Sequence, residues 1–382
     1  MMSKQSKVLL VRNADYQDFG GAERYPIFLV QSLKKCNFDS VIISRSPSLL
    51  QFAESRSIKY IRGWWWTRQN WSGYRVLFMP IYILWQIVLY FWYLFIIIST
   101  KSSILHIQSK DDFIAGTLAG KTLGKRVIWT DHADLKHVFK NLYVWYKNPI
   151  GKLVYVCGLL VDDLIIASNN EKKLVSKNIR EGSILLRKMV VAYIGVSDEK
   201  DKYSRRPHPK ITFGIVTRLV TDKGISEAIE AFNRLNGSHV DTKLLIIGDG
   251  PEATKFRKQA RSNKSIVFMG HLADPLGEMN NLDVFLHPTY HESFSTSLVE
   301  ASMLGLPIIT TRVGGNPEII KDNKTGLLVE AKDVGSLYKA MEKMYLDKKL
   351  RKELGYEARL QYVEKFNFDN IVKEQYMKLY EK

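Results

Sequence analysis

Short apolar segments recur along the chain, and each precedes a longer stretch with a helical pattern. The first set comprises Lys7–Val11, Ser40–Ser44, Ser103–Ile107, Arg126–Thr130 and Leu164–Ala167. The second set comprises Ile211–Val216, Lys243–Gly248, Ser265–Gly270, Asp283–Pro288 and Pro307–Thr311. Strands that alternate with helices form parallel sheets covered on both faces. The pattern therefore predicts an α/β fold with two Rossmann-like βαβ domains.

A polar and charged segment, Val196–Pro209, separates the two sets and contains two prolines. This composition predicts an interdomain linker. We place the first domain at residues 1–196, the linker at 197–209 and the second domain at 210–365. A helical segment over 366–382 is expected to pack back on the first domain. Because ligands of open α/β sheets bind at the carboxyl ends of the strands, the two domains are expected to face a central cleft.

One uncharged run of 23 residues, Val76–Ile98, is long enough for a transmembrane helix. It lies among the strands of the first domain, and a membrane crossing would place those strands on opposite sides of the bilayer. We therefore predict a helix of the first domain that packs one side on the sheet and presents its excess apolar surface to a membrane interface. A true span is the alternative. The nearby tryptophans and arginines predict either an interfacial patch or a local hydrophobic plug; they are Trp64, Trp65, Trp66, Trp71, Arg62, Arg68 and Arg75.

The charge of the chain is strongly positive and uneven. Lys and Arg number 56 against 39 Asp and Glu, a net charge of +17, and residues 1–200 hold 28 of the basic against 15 of the acidic residues. Such an excess predicts contact with an anionic membrane leaflet, a phosphorylated acceptor or nucleic acid, or else a basic surface that serves solubility.

Cysteine content and the amino-terminal segment bear on the compartment. The two cysteines, Cys36 and Cys157, exclude a disulfide scaffold and a cysteine-cluster metal site, and reduced cytosolic thiols are the simpler interpretation. The segment Met1–Lys7 is short and basic, and the apolar stretch behind it is too short for a signal peptide. We therefore expect a protein that is not secreted.

The densest set of chemically useful side chains lies between His287 and Ile320. Glu292 falls in a loop after a strand, a helix begins near Ser295–Ser297, and Glu300 follows one turn later. A helix amino terminus can bind a phosphate, and a carboxylate can accept hydrogen bonds from two neighbouring hydroxyl groups of a ribose or hexose. Either glutamate alone is more simply a cap or a surface residue. Together they predict a site for a phosphate held between two polyols.

Three further groups follow strands. Arg218 and Lys223 could converge on a diphosphate, although such a pair also suits a surface turn. Gly20 and Gly21 allow a close approach of the backbone to a ligand, a weak signal at a strand–helix turn. His132 lies where a site is expected, although a lone histidine is usually a satisfied polar residue.

Two other patterns carry less weight. Ile247–Ala253 matches a dinucleotide-binding fingerprint only superficially. The acidic pairs Asp111-Asp112 and Asp162-Asp163 lack supporting ligands, so we interpret them as structural and expect no metal site.

These motifs resemble the retaining glycosyltransferases of family 4, which have the GT-B architecture. The specific part runs from His291 through Glu292, seven intervening residues and Glu300, and continues with Gly305-Leu306-Pro307 and Gly314-Gly315-Asn316-Pro317-Glu318. The motifs containing Gly20-Gly21, His132, Arg218 with Lys223, and Gly248–Glu252 follow in the family's order. The resemblance covers nearly the whole chain and is looser in the first domain, where acceptors vary.

The resemblance implies roles for individual residues. The first domain would bind the acceptor and the second a nucleotide-sugar, with a UDP-sugar expected. Glu300 would bind the ribose, Glu292 the donor sugar, and Arg218 with Lys223 the departing diphosphate. His132 would contact the donor sugar near the reacting carbon. The implied donor-binding set is Gly20, Gly21, Arg218, Lys223, Glu292, Ser293, Phe294, Ser295, Thr296, Ser297 and Glu300, and the catalytic set is His132, Arg218, Lys223 and Glu292.

The resemblance further implies a hexosyltransferase that needs no metal. No cofactor is expected, because the nucleotide-sugar is itself a substrate. Ser295 and Thr296 depart from the family, which often has glycine and an aliphatic residue there. The expected acceptor is a membrane-associated glycan or lipid-linked saccharide, as in lipopolysaccharide or surface polysaccharide synthesis, on the cytoplasmic side of a membrane. The alternatives are a nucleotide-sugar epimerase of the same fold, a catalytically inactive carbohydrate-binding homologue, and a basic nucleic-acid-binding protein; the last lacks any nucleic-acid motif.

Overall fold

The computed structural model describes residues 6–13, 21–65, 79–132, 149–177, 179, 182–272 and 274–382, and it leaves the side chains of residues 21–23, 79 and 149 undescribed. The chain divides into two compact units. The first comprises Met1–Tyr193 with Ile371–Lys382, and the second comprises Ile194–Asn370.

The first unit is built on a seven-stranded sheet in the order β3-β2-β1-β4-β5-β6-β7, and every neighbouring pair is parallel. The central strands are fully buried apolar runs, as expected for strands covered on both faces. The strands are β1 Lys7–Val11, β2 Asp39–Ser44, β3 Tyr60–Arg62, β4 Ile104–Ile107, β5 Arg126–Asp131, β6 Asp163–Ile166 and β7 Met189–Val191.

Helices connect these strands, because parallel neighbours need a crossover rather than a hairpin. A short 3-10 turn, Lys110–Asp112, precedes α4, and Phe113 in α4 stacks on Trp129 in β5 at 3.9 Å between ring centroids. The helices are α1 Gly21–Lys35, α2 Pro47–Ser55, α3 Met79–Thr100, α4 Phe113–Thr122, α5 Pro149–Leu160, α6 Asn169–Ser176 and α7 Ile184–Lys188.

Helix α3 corresponds to the uncharged run, although residues 76–78 lie outside the described chain. Its inward face includes Tyr82, Leu89 and Tyr93, which belong to the core of the first unit. Its outward face is apolar as well, since Leu84, Phe91, Phe95 and Ile98 are each more than 60 % exposed. The helix is therefore a core element with an unusually apolar outer surface; by length and composition alone, Pro80–Thr100 could cross a membrane.

The second unit is built on a six-stranded parallel sheet in the order β10-β9-β8-β11-β12-β13. Its strands are β8 Ile211–Val216, β9 Thr242–Ile247, β10 Ile266–Gly270, β11 Val284–His287, β12 Ile308–Thr311 and β13 Leu327–Val329. Its helices are α8 Ile225–Ser238, α9 Ala253–Ala260, α10 Leu276–Met279, α11 Thr296–Leu304, α12 Asn316–Ile319, α13 Val334–Leu346 and α14 Lys348–Gln361. Two π-helical turns, Tyr362–Phe366 and Val372–Tyr376, alternate with the final helices, α15 Phe368–Ile371 and α16 Met377–Tyr380.

The segment predicted as a linker, residues 197–209, lies within the second unit. Arg205 and Arg206 form ion pairs with Asp283 and Glu278, and His208 contacts the carbonyl of Asn281 through Nε2 at 2.7 Å. These contacts fix the segment along the second unit. The final residues, 371–382, return to the first unit, where the hydroxyl of Tyr380 lies 2.6 Å from Nδ1 of the buried His106.

Both sheets reverse their strand order at one place. In the first unit β1 lies between β2 and β4, and in the second unit β8 lies between β9 and β11. The loops that leave such a pair of strands run in opposite directions and open a crevice at the carboxyl edge, which is where open α/β sheets bind their ligands. The residues directly after β1 and β4, and after β8 and β11, are therefore the first places to look for a site.

Candidate functional site

The two loops at the switch point of the second unit are bonded to each other. The carbonyl of Asp222, in the loop after β8, accepts hydrogen bonds from the backbone N–H of Tyr290 at 2.7 Å and from the hydroxyl of Thr289 at 3.1 Å. Gly224 has φ of 68°, and a Cβ there would lie 1.9 Å from the carbonyl oxygen of Pro288. Glycine is needed here both for its left-handed conformation and for the close approach of the loops.

This arrangement brings Lys223 to Glu292. The ammonium group of Lys223 donates a 3.0 Å hydrogen bond to Oε2 of Glu292. Nε2 of His287, the last residue of β11, lies 3.4 Å from the same oxygen. The Lys223 and Glu292 side chains are each about a fifth exposed, and that of His287 is almost fully buried. A carboxylate is thus fixed at the edge of the sheet between a cation and an imidazole.

The ionisation of Glu292 follows from these neighbours. Burial alone would raise its pKa, but the contact with His287 and the charge of Lys223 outweigh burial and lower the pKa to about 2. Glu292 is therefore a carboxylate throughout the physiological range. An ionised carboxylate only accepts hydrogen bonds, as recognition of sugar hydroxyl groups requires.

Helix α11 begins four residues after Glu292. Ser295 is its N-cap, and its hydroxyl accepts a hydrogen bond from the N–H of Leu298 at 3.3 Å. The hydroxyl of Ser297 lies 3.0 Å from that of Ser295. The first N–H groups of a helix have no partner within the helix, so this end of α11 can hold an anion.

The remaining residues of the predicted donor-binding set in this region divide into two kinds. Ser293, Thr296 and Ser297 are partly buried, whereas Phe294 is buried against Phe366 with ring centroids 5.9 Å apart. The Phe294 side chain thus belongs to the core. Glu300 lies in the second turn of α11 and is 8 % exposed, which is unusual for a carboxylate unless it is paired or awaits a polar ligand.

Gly314 and Gly315 support Glu292 from the loop after β12. The N–H of Gly315 donates to the carbonyl of Glu292 at 3.2 Å. Gly314 has φ of 53°, and a Cβ there would lie 1.5 Å from the same carbonyl oxygen. No side chain larger than hydrogen fits at this position, so the glycine pair positions the backbone of Glu292.

Arg218 is the most exposed of the predicted catalytic residues. Its loop is held by the segment after β9, because Leu219 donates to the carbonyl of Asp249 at 2.9 Å and Glu252 donates to the carbonyl of Leu219 at 3.2 Å. The segment Ile247–Ala253, which matched a dinucleotide fingerprint superficially, therefore supports the loop that carries Arg218.

In the first unit, His132 follows β5 and lies beside the carboxyl ends of β1 and β4. Its Nε2 is 3.4 Å from Oε1 of Gln108, and its ring meets that of Tyr25 edge-on at 5.0 Å. Burial lowers the pKa of His132 well below its usual range, and the charges of Arg12 and Lys110 add to this effect. His132 is therefore a neutral imidazole at pH 7.

The structure thus groups the predicted residues by unit. Arg218, Lys223, Glu292 and Glu300 lie in the second unit with residues 293–297, and Lys223 and Glu292 are in direct contact there. Gly21 and His132 lie in the first unit, where Gly21 begins α1. Gly20 lies outside the described residues. Within the described ranges, no group of three or more His, Cys, Asp or Glu side chains is arranged to hold a metal ion.

Sequence reasoning missed two sets of residues. His287 was not singled out, although its place before Pro288 at the end of an apolar strand puts it at the carboxyl edge. Arg12 and Gln108 were also missed; each directly follows a predicted strand, and that position was the available signal.

Residues 196–361 match the family described as "Glycosyl transferases group 1". For this part of the chain, the match supports the predicted resemblance to glycosyltransferases. The match contains every residue of the second-unit site, from Arg218 to Glu300.

Two curated relatives extend the comparison. The chain is 28 % identical over 236 residues to the capsular polysaccharide biosynthesis glycosyltransferase CapM of Staphylococcus aureus, covering 58 % of this chain and 62 % of CapM. It is 24 % identical over 366 residues to one component of the phosphatidylinositol N-acetylglucosaminyltransferase of Homo sapiens, covering 89 % of this chain and 69 % of that protein. The chain therefore spans a little under two thirds of the length of CapM.

Among solved structures, the chain is similar to Anabaena Alr3699/HepE in complex with UDP and glucose. The TM-score is 0.77 at 16 % identity, and the match covers 99 % of this chain and 100 % of that one. This likeness concerns the fold. Together with the two parallel sheets, it confirms the predicted fold class of Rossmann-like α/β domains of the GT-B kind.

Proposed function

We propose that the chain is a retaining, family 4 glycosyltransferase that moves a sugar from a UDP-sugar to a membrane-associated glycan or lipid-linked acceptor. The observation that carries the proposal is the contact of Lys223 with an ionised Glu292 at the switch point of the second sheet, inside the region that matches glycosyl transferases group 1. The name of CapM, which states capsular polysaccharide biosynthesis, supports a glycan product. The complex of HepE with UDP and glucose supports a UDP-sugar donor.

The second unit supplies groups for each part of the donor. Glu300, buried on α11, would accept hydrogen bonds from the ribose hydroxyl groups, and Glu292 would accept them from the sugar. The diphosphate would lie against the first turn of α11, with Arg218 and Lys223 as cations. Charge grows on the diphosphate as the bond to the sugar breaks, so these cations stabilise the transition state more than the ground state.

The acceptor hydroxyl would attack from the face that the leaving diphosphate vacates. Its proton would pass to a diphosphate oxygen, and the configuration at the sugar carbon would be retained. In this mechanism Glu292 positions the sugar and remains ionised. The neutral His132 is suited to hydrogen-bond a sugar hydroxyl group.

The membrane part of the proposal rests on α3. Its outer face presents large apolar side chains, and an apolar patch of this kind marks an interaction surface. Residues 1–200 also carry most of the net positive charge of the chain, which favours an anionic lipid surface. We therefore propose peripheral association with the cytoplasmic face of a membrane, with α3 lying in the interface.

A donor screen tests the activity. The full chain is incubated with UDP-, GDP- and ADP-sugars and a membrane extract, and products are detected by mass spectrometry. Transfer from a UDP-sugar that is lost in Lys223→Ala and kept in Lys264→Ala supports the proposal; Lys264 is exposed before β10, away from the carboxyl edge. Epimerised or hydrolysed donor without any acceptor product, or no response to any nucleotide-sugar, contradicts it.

A further inference from the structure

The carboxyl edge of the first sheet carries a cluster of polar groups that the donor site does not use. Arg12 and Asn13 follow β1, Arg45 follows β2, and Gln108 to Lys110 follow β4. This is the switch point of the sheet, because β1 lies between β2 and β4. By the general rule for open α/β sheets, a ligand of the first unit belongs here.

Hydrogen bonds between the loops tie the cluster together. A terminal nitrogen of Arg12 donates to the carbonyl of Gln108 at 2.9 Å. The N–H of Asn13 donates to the hydroxyl of Ser109 at 2.5 Å, and the N–H of Arg45 donates to Oδ1 of Asn13 at 2.9 Å. Three loops are thereby held in one fixed arrangement, as a preformed binding site requires.

Nε2 of Gln108 and Nδ1 of His132 are among the buried side-chain nitrogens at this edge that have no hydrogen-bond partner within the described residues. Gln108 is 3 % exposed. Leaving a buried polar group without a partner destabilises the fold, so such atoms in a crevice indicate a ligand that satisfies them. Nε2 of Gln108 donates hydrogen bonds, so the ligand must present an acceptor atom to it.

The charge of the cluster indicates what kind of acceptor atom. The charged groups that act on His132 include Arg12 and Lys110, and both are positive. The nearby carboxyl group of Asp112 is engaged by other residues. It accepts hydrogen bonds from Asn13 at 2.7 Å and Tyr93 at 2.8 Å, and burial with the neighbouring Asp111 raises its pKa to about 7.

We propose that Arg12, Gln108 and Lys110 bind a phosphate group of the acceptor. The inference rests on the proposed function, because it assigns the first unit to the acceptor. Arginine and lysine would supply the cations, and the Gln108 amide would donate to a phosphate oxygen. The acceptor is then a phosphorylated saccharide or lipid rather than a neutral glycan.

Titration with methyl phosphate tests the proposal on the full chain. Saturating UDP first occupies the second unit, so that the phosphate probe reports on the first. We expect Lys110→Gln and Gln108→Glu each to weaken methyl phosphate binding about tenfold. The first removes a charge-assisted hydrogen bond, and the second replaces the amide donor with a carboxylate, which only accepts hydrogen bonds. UDP affinity is the control for folding in both variants, and we expect it to be unchanged. The melting temperature is a second control for Lys110→Gln, where we also expect no change.

Lys125→Gln is the matched control. Lys125 lies just before β5, at the opposite edge of the same sheet, and its substitution removes the same charge from the same unit. We expect an affinity for methyl phosphate within about twofold of that of the unsubstituted chain. No binding of methyl phosphate to the UDP-saturated chain, or equal losses in Lys125→Gln and Lys110→Gln, would overturn the proposal.

UDP binding tests the proposed function separately from the phosphate site. If UDP does not bind, that function fails, and the same titration in a Lys223→Ala background still tests the phosphate site. Competition against methyl phosphate then identifies the source of the group. Displacement by glucose 1-phosphate indicates a soluble sugar phosphate, displacement by phosphatidic acid vesicles indicates a lipid headgroup, and displacement by neither rejects the site.

Discussion

The ammonium group of Lys223 lies 3.0 Å from Oε2 of Glu292, although the two residues are 69 positions apart in the chain. The contact joins the loops that leave β8 and β11, and it links a predicted diphosphate-binding residue directly to a predicted sugar-binding one. A donor bound at this place must share or replace that bond. The charges of Lys223 and Glu292 therefore affect the stability of the fold and, under the proposed function, the turnover of the donor.

The first prediction concerns acid stability. Glu292 has a pKa of about 2 in the folded chain against 4.5 ordinarily, so the unfolded chain binds more protons as the pH falls below about 4.5. The stabilisation from Glu292 is present above that pH and is lost as the pH falls through 2. It amounts to about 3 kcal/mol. We expect the melting temperature of Glu292→Gln to fall less steeply than that of the unsubstituted chain between pH 5 and pH 3.

Glu230→Gln is the control for this comparison, because Glu230 is half exposed and pairs with Arg234 one turn along α8. Calorimetry between pH 5 and pH 3 measures the melting temperatures of the unsubstituted chain, Glu292→Gln and Glu230→Gln. Parallel curves for the unsubstituted chain and Glu292→Gln would show that the carboxylate has no depressed pKa.

The second prediction separates binding from turnover at the donor site. Under the proposed function, Glu300 would hold the donor both before and during the reaction. We therefore expect Glu300→Ala to raise KM for the donor about tenfold with kcat little changed. Under the proposed function, Arg218 would stabilise the negative charge that develops on the diphosphate in the transition state. We therefore expect kcat of Arg218→Ala to fall about a hundredfold. Steady-state kinetics of both variants measure the split. Unchanged constants in both, or the reverse pattern, would contradict the assignment.

The third prediction concerns Gly314. Both Gly314 and Gly270 have positive φ, but a Cβ at Gly314 would lie 1.5 Å from the carbonyl oxygen of Glu292, whereas a Cβ at Gly270 meets nothing within 4 Å. Gly270→Ala therefore costs only the backbone strain, about 1 kcal/mol. Gly314→Ala adds a displacement of Glu292, so we expect a larger fall in melting temperature and a loss of donor binding. Equal effects of the two substitutions would mean that the glycine does not position Glu292.

Most of the fold was predictable because the strands of a buried parallel sheet are continuous apolar runs. The predicted strands match β1, β2, β4 to β6 and β8 to β12 within a few residues. The strands β3, β7 and β13 were not predicted. Each has three residues and lies at a sheet edge, so it forms ladder bonds on one side only and leaves too short a pattern to recognise.

The candidate site was predictable to a different depth in each unit. Glu292, Glu300, Arg218 and Lys223 belong to segments with fixed spacing, and those segments lie at the carboxyl edge of the second sheet. The role of Gly314 needed the structure, because a backbone contact with a distant loop leaves no mark in the sequence. Arg12 and Gln108 meet only through the pairing of β1 with β4, which the sequence does not specify.

The fourth prediction concerns α3 and membranes. Phe95 and Ile98 are each more than 60 % exposed on the outer face of the helix. Their replacement by serine removes apolar surface that would enter the lipid interface, so we expect several-fold weaker co-sedimentation with phosphatidylglycerol vesicles. Leu346→Ser is the control, because Leu346 is 68 % exposed in the second unit. Equal sedimentation of all three proteins would remove the basis for assigning α3 to the membrane.

The fifth prediction concerns the return of the chain to the first unit. His106 is fully buried in β4, burial lowers its pKa to about 3, and its ring nitrogens lie 2.6 Å from the hydroxyls of Tyr380 and Thr130. Tyr380→Phe leaves one of these nitrogens without a partner and costs about 1–3 kcal/mol. We expect faster hydrogen exchange in β4 and β5 and unchanged exchange in β8 and β9. Tyr356→Phe is the control, because it removes a hydroxyl from a side chain that is 63 % exposed, and we expect unchanged exchange in both sheets. If β4 exchanges no faster in Tyr380→Phe than in Tyr356→Phe, the carboxyl-terminal segment does not stabilise the first sheet through His106.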